Sequence, residues 1–217
     1  MSRFAQVEME PVYGFCHYIL AGCYGAFFRG AVAGVENIPA DGPFLIAANH
    51  ASHLDPPFIG AQVPRQIAFF ARKTLWKGGV ASWWMDHVGC IPVEREGGDV
   101  NAIKRVLQTL QSGKALILFP EGTRSDNGAL QPAKAGVGLI ACKTRVPVLP
   151  VRIFGSQIAF GKGRPLRPGT PVSIVFGRPL APDDYDHKAD GKERYQRASE
   201  RIMTAIAALR EPRAAVV

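Results

Sequence analysis

Apolar residues along this chain fall into short blocks separated by polar, glycine- and proline-rich punctuation. Phe44–Asn49 reads as a short apolar strand, Ala115–Phe119 is a continuous apolar run of strand length, and Gln66–Phe70, Cys90–Val93, Pro147–Phe154 and Val172–Phe176 also read as strands. Runs without alternation suit strands buried on both faces, as in parallel sheets covered by helices. Between Asp99 and Gln111 the period changes. Val100, Ile103, Val106, Leu107 and Leu110 recur at helical spacing, and Gly113 stands beyond their end. Helices are also expected from near Asp55, over Gly136–Lys143 and, as an amphipathic tail, over Lys192–Leu209. Leu75–Val88 reads as a helix broken by Gly78 and Gly79. Strands alternating with helices predict an α/β fold, with a central mixed, largely parallel sheet flanked by helices.

The N-terminus has a different pattern. No charged residue occurs from Pro11 to Phe28, with Glu8 and Glu10 before the stretch and Arg29 after it. A helix of this length rises about 27 Å, at the lower edge of a membrane span. Gly14, Gly22 and Gly25 weaken the helix, His17 is polar, and no basic region precedes it as in a signal peptide. An interfacial helix, a single span and a buried core helix all fit. The expectation taken forward is an apolar N-terminal helical membrane anchor within residues 1–34, lying in the interface rather than crossing it. The remainder, 35–217, then forms a globular domain on the cytoplasmic side.

Composition narrows the partners. The chain has 217 residues, 47% apolar and 20% charged, which excludes a disordered protein or a coiled coil. Its 26 Lys and Arg exceed 18 Asp and Glu, a net charge of +8 that calls for an anionic partner. The basic residues are dispersed and the aromatics sit in apolar runs, unlike a nucleic-acid interface. An anionic membrane surface or a phosphate-bearing substrate fits better. Cys16, Cys23, Cys90 and Cys142 are scattered with no paired spacing, as for free thiols in a reducing compartment.

Two clusters carry candidate chemistry. Asn49-His-Ala-Ser-His-Leu-Asp-Pro-Pro57 directly follows a buried strand. Asp55 before Pro56 has the form of a helix N-cap, and its carboxylate could hold the Nδ1–H of His50 across a turn. Nε2 would then be free as a general base. Alternatively, Asp55 caps the helix and His50 fills a polar niche. Metal ligation by His50, His53 and Asp55 lacks a matching fourth ligand, and Ser52 lacks a G-x-S-x-G elbow. The second cluster, Phe119-Pro-Glu-Gly-Thr-Arg-Ser125, also follows a buried strand. Gly122 permits close backbone approach, Arg124 offers a planar fork for phosphate, and Thr123 and Ser125 add hydroxyls. Glu121 and Arg124 could instead pair in an ordinary turn.

Together, N-H-x-x-H-x-D-P-P and F-P-E-G-T-R-S resemble the glycerolipid acyltransferase family, in particular the 1-acyl-sn-glycerol-3-phosphate acyltransferases. Arg72-Lys-Thr-Leu75 with Gly89-Cys-Ile-Pro-Val-Glu-Arg95 resembles the family's second block, and Val146-Pro-Val-Leu-Pro-Val151 its fourth. The resemblance covers roughly 40–156 within an acyltransferase domain of 35–217, with a C-terminal strand and amphipathic helix over 171–211. Gly79 and Ser82 stand where the family usually carries Pro and Gly.

The resemblance implies acyl transfer from an acyl thioester, on acyl carrier protein or coenzyme A, to the free hydroxyl of a membrane lysophospholipid. No metal or other cofactor is implied. His50 would be the base and Asp55 its orienting partner. Arg124, with Glu121, Gly122, Thr123, Arg72 and Lys73, would surround the acceptor phosphate. The backbone near Glu121-Gly122, or Lys73, could face the oxyanion. Glycerol 3-phosphate, a lyso-aminolipid or another lysophospholipid are alternative acceptors, and a non-catalytic membrane-binding protein is the other class.

Overall fold

A computed structural model describes residues 9–28, 30–93 and 100–212. Glu8, Arg29, Glu94, Arg95 and Asp99, named above, lie outside the described residues. In chain order the elements begin with helix α1 (Pro11–Phe27) and a two-residue strand β1 (Val32–Ala33). Strand β2 (Leu45–Ala48), helix α2 (Asp55–Gln62) and strand β3 (Ile67–Arg72) follow. Next come α3 (Gly79–His87), β4 (Cys90–Val93), α4 (Val100–Gln111) and β5 (Ala115–Leu118). Then come α5 (Ala135–Thr144), β6 (Val148–Phe154), α6 (Ser156–Phe160) and β7 (Ser173–Phe176). Short α7 (Pro182–Tyr185) and long α8 (Arg194–Ala208) complete the order.

The seven strands form one sheet in the order β1-β7-β6-β2-β5-β3-β4. Every pairing is parallel except β6 with β7. Helices cover both faces. Leu45, Ala47, Leu116 and Leu118 point into one core with Val106, Leu110, Ile140, Ile202 and Ile206 from α4, α5 and α8. Ile46, Ala48, Ala115 and Ile117 point the other way, against Tyr24, Phe28, Phe58 and Ile59 from the α1 end and α2. This alternation explains the unbroken apolar runs, because both faces of each central strand are dry. On the first face α5 and α8 pack closely enough that a Cβ on Gly138 would come 2.0 Å from the Tyr195 carbonyl oxygen.

The N-terminal expectation is corrected. α1 has 17 residues, and no helix among the described residues is long and apolar enough to cross a membrane. At 1.5 Å per residue it reaches about 26 Å, short of the hydrocarbon thickness, and its glycines, tyrosines and His17 dilute its hydropathy. It also packs on the rest of the protein. Tyr13 and Tyr24 are buried, and the Tyr24 hydroxyl donates to the Val172 carbonyl at 2.5 Å. The Tyr24 and Phe28 rings lie 5.3 and 4.9 Å from Phe58 of α2. Pro11–Phe27 is therefore a helix docked on the α/β body.

Gly78 and Gly79 stand where one helical piece has ended and the next begins. Both have positive φ, 83° and 55°, so a short 3₁₀ turn at Lys73–Leu75 ends before them and α3 begins at Gly79. The Ser82 hydroxyl accepts from the Gly78 N–H at 2.9 Å and fixes this start.

Candidate active site

Strands β2 and β5 are parallel neighbours, with Ala47 opposite Leu118, so the loops after them leave the same edge of the sheet side by side. That carboxyl edge is where α/β sheets gather ligands. One loop carries His50, the other Glu121 to Ser125. Asn49 ends the first strand and ties it sideways. Its side chain donates to the Ile153 carbonyl at 3.0 Å and accepts from the Ile153 N–H at 2.8 Å, fixing the start of the loop on β6.

Asp55 is fully buried, and its Oδ2 accepts three hydrogen bonds: from His50 Nδ1 at 2.8 Å, Ala51 N–H at 2.6 Å and Ser52 N–H at 2.7 Å. A carboxylate only accepts, so the proton of this histidine sits on Nδ1. Asp55 does not cap its own helix. The next two residues are Pro56 and Pro57, which have no N–H to offer, so the carboxylate turns back onto the loop before it. His50 is mostly covered, and its ring stacks on Phe119 with centroids 4.0 Å apart. Nε2 makes no hydrogen bond among the described residues. His50 lines a pocket of about 220 Å³ with Pro56, Phe69, Phe70, Phe119 and Gly122.

The second loop grips His50 by its backbone. Glu121 Oε1 accepts from the His50 N–H at 3.0 Å, and the Ser125 N–H donates to the His50 carbonyl at 2.8 Å. Glu121 Oε2 accepts from the Gln131 N–H at 3.3 Å. Both Glu121 oxygens thus accept from backbone donors inside the protein, one of them on His50 itself. Burial pushes its carboxyl up to about 7, with the nearby Asp55 charge adding to the rise and the two N–H donors opposing it.

A pH prediction follows from that shift. Between the ordinary value of 4.5 and about 7, the folded state keeps a proton that the unfolded chain has released. The resulting stabilisation is fully present below 4.5 and is lost as pH rises through about 7. Glu121→Gln removes this titration, so its denaturant midpoint should vary less with pH across that window than the wild-type midpoint. Equal pH slopes would show that Glu121 is not the titrating group.

The remaining sequence candidates lie around the same edge. Gly122 has φ +66°, and its N–H donates to the Phe119 carbonyl at 3.0 Å, so that N–H is committed to the turn and does not face an oxyanion. Thr123 is exposed, and Arg124 is half-buried with Nη1 covered and without a hydrogen bond among the described residues. Arg72 ends β3, next to β5 in the sheet, and exposed Lys73 follows it. Ser52 is a structural tie, donating from Oγ to the Phe160 carbonyl at 2.7 Å. The sequence reading missed Lys134. Its backbone N–H donates to the Pro120 carbonyl, and its stem lies over Gly122, 3.1 Å from where a Cβ would stand. No motif spacing marks this lysine. Only the contact across the loop does.

A second cavity, of about 370 Å³, adjoins the first and shares Pro56, Phe69, Phe70 and Ala71 with it. Its other walls include Leu20 of α1, Pro57 and Gly60 of α2, and Trp84, Met85 and Val88 around α3, so it is predominantly apolar.

Residues 29–154 match the acyltransferase family model. The chain is 33% identical over 169 residues to the chloroplastic 1-acyl-sn-glycerol-3-phosphate acyltransferase BAT2 of Brassica napus, covering 76% of this chain and 47% of that protein. It is 31% identical over 179 residues to the 1-acyl-sn-glycerol-3-phosphate acyltransferase of Streptococcus pneumoniae, covering 81% of this chain and 64% of that protein. The chain thus spans about half to two thirds of the length of these relatives. Among solved structures, the crystal structure of the 1-acyl-sn-glycerophosphate acyltransferase PlsC from Thermotoga maritima superposes with a TM-score of 0.70 and 28% identity. It covers 90% of this chain and 76% of that one.

Proposed function

Since this chain belongs to the glycerolipid acyltransferase family, we propose that it is an O-acyltransferase acting on 1-acyl-sn-glycerol 3-phosphate. It moves a fatty acyl group from a thioester of acyl carrier protein or coenzyme A to the free hydroxyl and releases phosphatidate. The observation that carries the reading is the His50–Asp55 pair, with His50 in the wall of a pocket that adjoins a predominantly apolar cavity.

His50 Nε2 removes the hydroxyl proton as the oxygen attacks the thioester carbonyl carbon. The oxygen–carbon bond forms, the carbon–sulfur bond breaks, and the thiolate leaves with the bonding pair. The imidazolium, held by Asp55, then returns its proton to the thiolate or to water. No covalent acyl-enzyme is needed. Ser52 Oγ is buried and engaged, and burial pushes the Cys90 and Cys142 thiols up to about 11 and 12, leaving them protonated near neutrality. The apolar cavity between α1, α2 and α3 suits a fatty chain.

Arg124, with Lys134 over the same loop, is assigned to the acceptor phosphate. A charge-assisted hydrogen bond contributes about 1.5–3 kcal/mol. Arg124→Ala is therefore expected to raise KM for lysophosphatidate by about 10–150-fold while changing kcat much less. An unchanged KM would remove Arg124 from the phosphate site. The surplus positive charge suits the anionic lipid, an acidic carrier and an anionic bilayer surface, and supports a peripheral position on the cytoplasmic face.

The reaction itself is tested by thiol release from palmitoyl-coenzyme A and from palmitoyl acyl carrier protein. Release that requires lysophosphatidate and yields phosphatidate is the expected result. Release only with another acceptor in a lysolipid panel would reassign the substrate, and none with any acceptor would overturn the proposal.

A further inference from the structure

We propose that residues 161–169 form a basic, apolar-tipped loop that seats the protein on the anionic headgroup surface of a bilayer, beside the active site. The inference rests on the lipid-acceptor reading and names the surface that serves it.

From Asn127 to Pro182 the sequence contains no Asp or Glu but eight Lys or Arg. Lys162, Arg164 and Arg167 of this stretch fall in one exposed loop between α6 and β7, Gly-Lys-Gly-Arg-Pro-Leu-Arg-Pro-Gly, with Lys162 to Gly169 exposed throughout. Lys162 pairs with Asp126 at 3.2 Å. The Arg164 and Arg167 side chains make no ion pair or hydrogen bond among the described residues. Between them Leu166, flanked by Pro165, is 50% exposed.

This loop has a defined shape. The Arg164 N–H donates to the Gly161 carbonyl at 3.1 Å, and the Arg167 N–H to the Ala159 carbonyl at 2.8 Å. Its far end is pinned to α1, where the Gly169 N–H donates to the Phe27 carbonyl at 2.6 Å. Its near end is pinned to the catalytic loop. Gly161 bridges Ser52, the Ser52 hydroxyl donates to the Phe160 carbonyl, and the His53 ring lies 5.6 Å from that of Phe160. The backbone that carries these two arginines is thus fixed beside the loop of Ser52 and His53, with an exposed leucine between them. Phe27, at the α1 anchor point, is 53% exposed.

That chemistry selects a lipid surface. Arginines can pair with headgroup phosphates while an apolar tip between them enters the acyl boundary. A protein partner needs a face of some 20–30 residues for a stable interface, whereas the unpaired charge here is confined to a short tip. The lipid acceptor lies in the same surface, so docking there brings its headgroup toward His50.

The test uses flotation of the full chain with phosphatidylglycerol–phosphatidylcholine vesicles and with phosphatidylcholine alone. Wild type should float with the anionic vesicles, less so at high salt, and weakly with the neutral ones. Each arginine near an anionic surface is worth about 5-fold in binding, so Arg164→Ala with Arg167→Ala should weaken it by about 25-fold. Leu166→Ser should weaken it as well. Both variants should keep the wild-type melting temperature and full activity on a short-chain, water-soluble lysophosphatidate. Unchanged vesicle binding by the double variant overturns the proposal. So does a double variant that floats normally but turns over palmitoyl acyl carrier protein poorly and palmitoyl-coenzyme A normally, since the loop would then dock the carrier. If wild type acylates no lysophosphatidate yet binds vesicles through this loop, the docking surface stands and the substrate reading fails.

Discussion

His50→Ala is expected to lower kcat by about 10²–10⁴-fold, the usual contribution of a positioned general base. The variant should fold, because the backbone bonds to Glu121 and Ser125 that hold residue 50 do not involve its side chain. Two polar neighbours in the same loops, Glu121 and Ser52, are already engaged. Glu121 has both oxygens on backbone donors, and Ser52 is tied to Phe160. Thiol release at saturating lysophosphatidate measures the loss directly. A rate within a few-fold of wild type would leave the reaction without its base and direct attention to a different group.

Asp55 allows a finer separation, because one of its oxygens does three jobs. In Asp55→Asn, an amide oxygen in the Oδ2 position can still accept from His50, Ala51 and Ser52. The amide nitrogen would replace Oδ1, which is buried and has no partner. Orientation and tautomer are kept while the charge facing the imidazolium is lost. A charged hydrogen bond is worth about 1.5–3 kcal/mol, so kcat should fall by about 10–150-fold. Asp55→Ala removes the acceptor altogether. It leaves the Ala51 and Ser52 N–H groups unpaired at about 1–3 kcal/mol each and releases the imidazole. Its kcat should approach that of His50→Ala, with a clearly lower melting temperature. If the Asn and Ala variants are equally slow, Asp55 acts through charge alone and its positioning role is refuted.

The central strands and the helix periods were legible because burial on both faces leaves a simple mark, an unbroken apolar run between helical blocks. β4 falls at Cys90–Val93, as the pattern predicts, and the other central strands lie within a residue or two of it. Local signals failed where backbone geometry or tertiary contact decided. Positive φ at Gly78 and Gly79 sets where the second helical piece starts after the break. β1 is only two residues long and exists because β7 is there to pair with it. The N-terminal stretch looked like a membrane segment because an uncharged sequence does not say which apolar surface it meets. Phe58 and the Val172 carbonyl supply that answer for Tyr24.

The candidate site divides along the same line. The sequence by itself determined the chemical groups: an imidazole, a carboxylate five residues on, and a guanidinium after Glu-Gly-Thr, each following a buried strand. That Asp55 turns its carboxylate back onto His50, Ala51 and Ser52 rather than capping its own helix shows only in the structure. Only the tertiary structure decided which of these groups meet. Parallel pairing of β2 with β5 sets the two loops side by side, turns Glu121 inward onto His50 and lays Lys134 over Gly122. Residue types are carried by the local chain, whereas distances between loops 71 residues apart depend on strand register, which the packing of both sheet faces fixes.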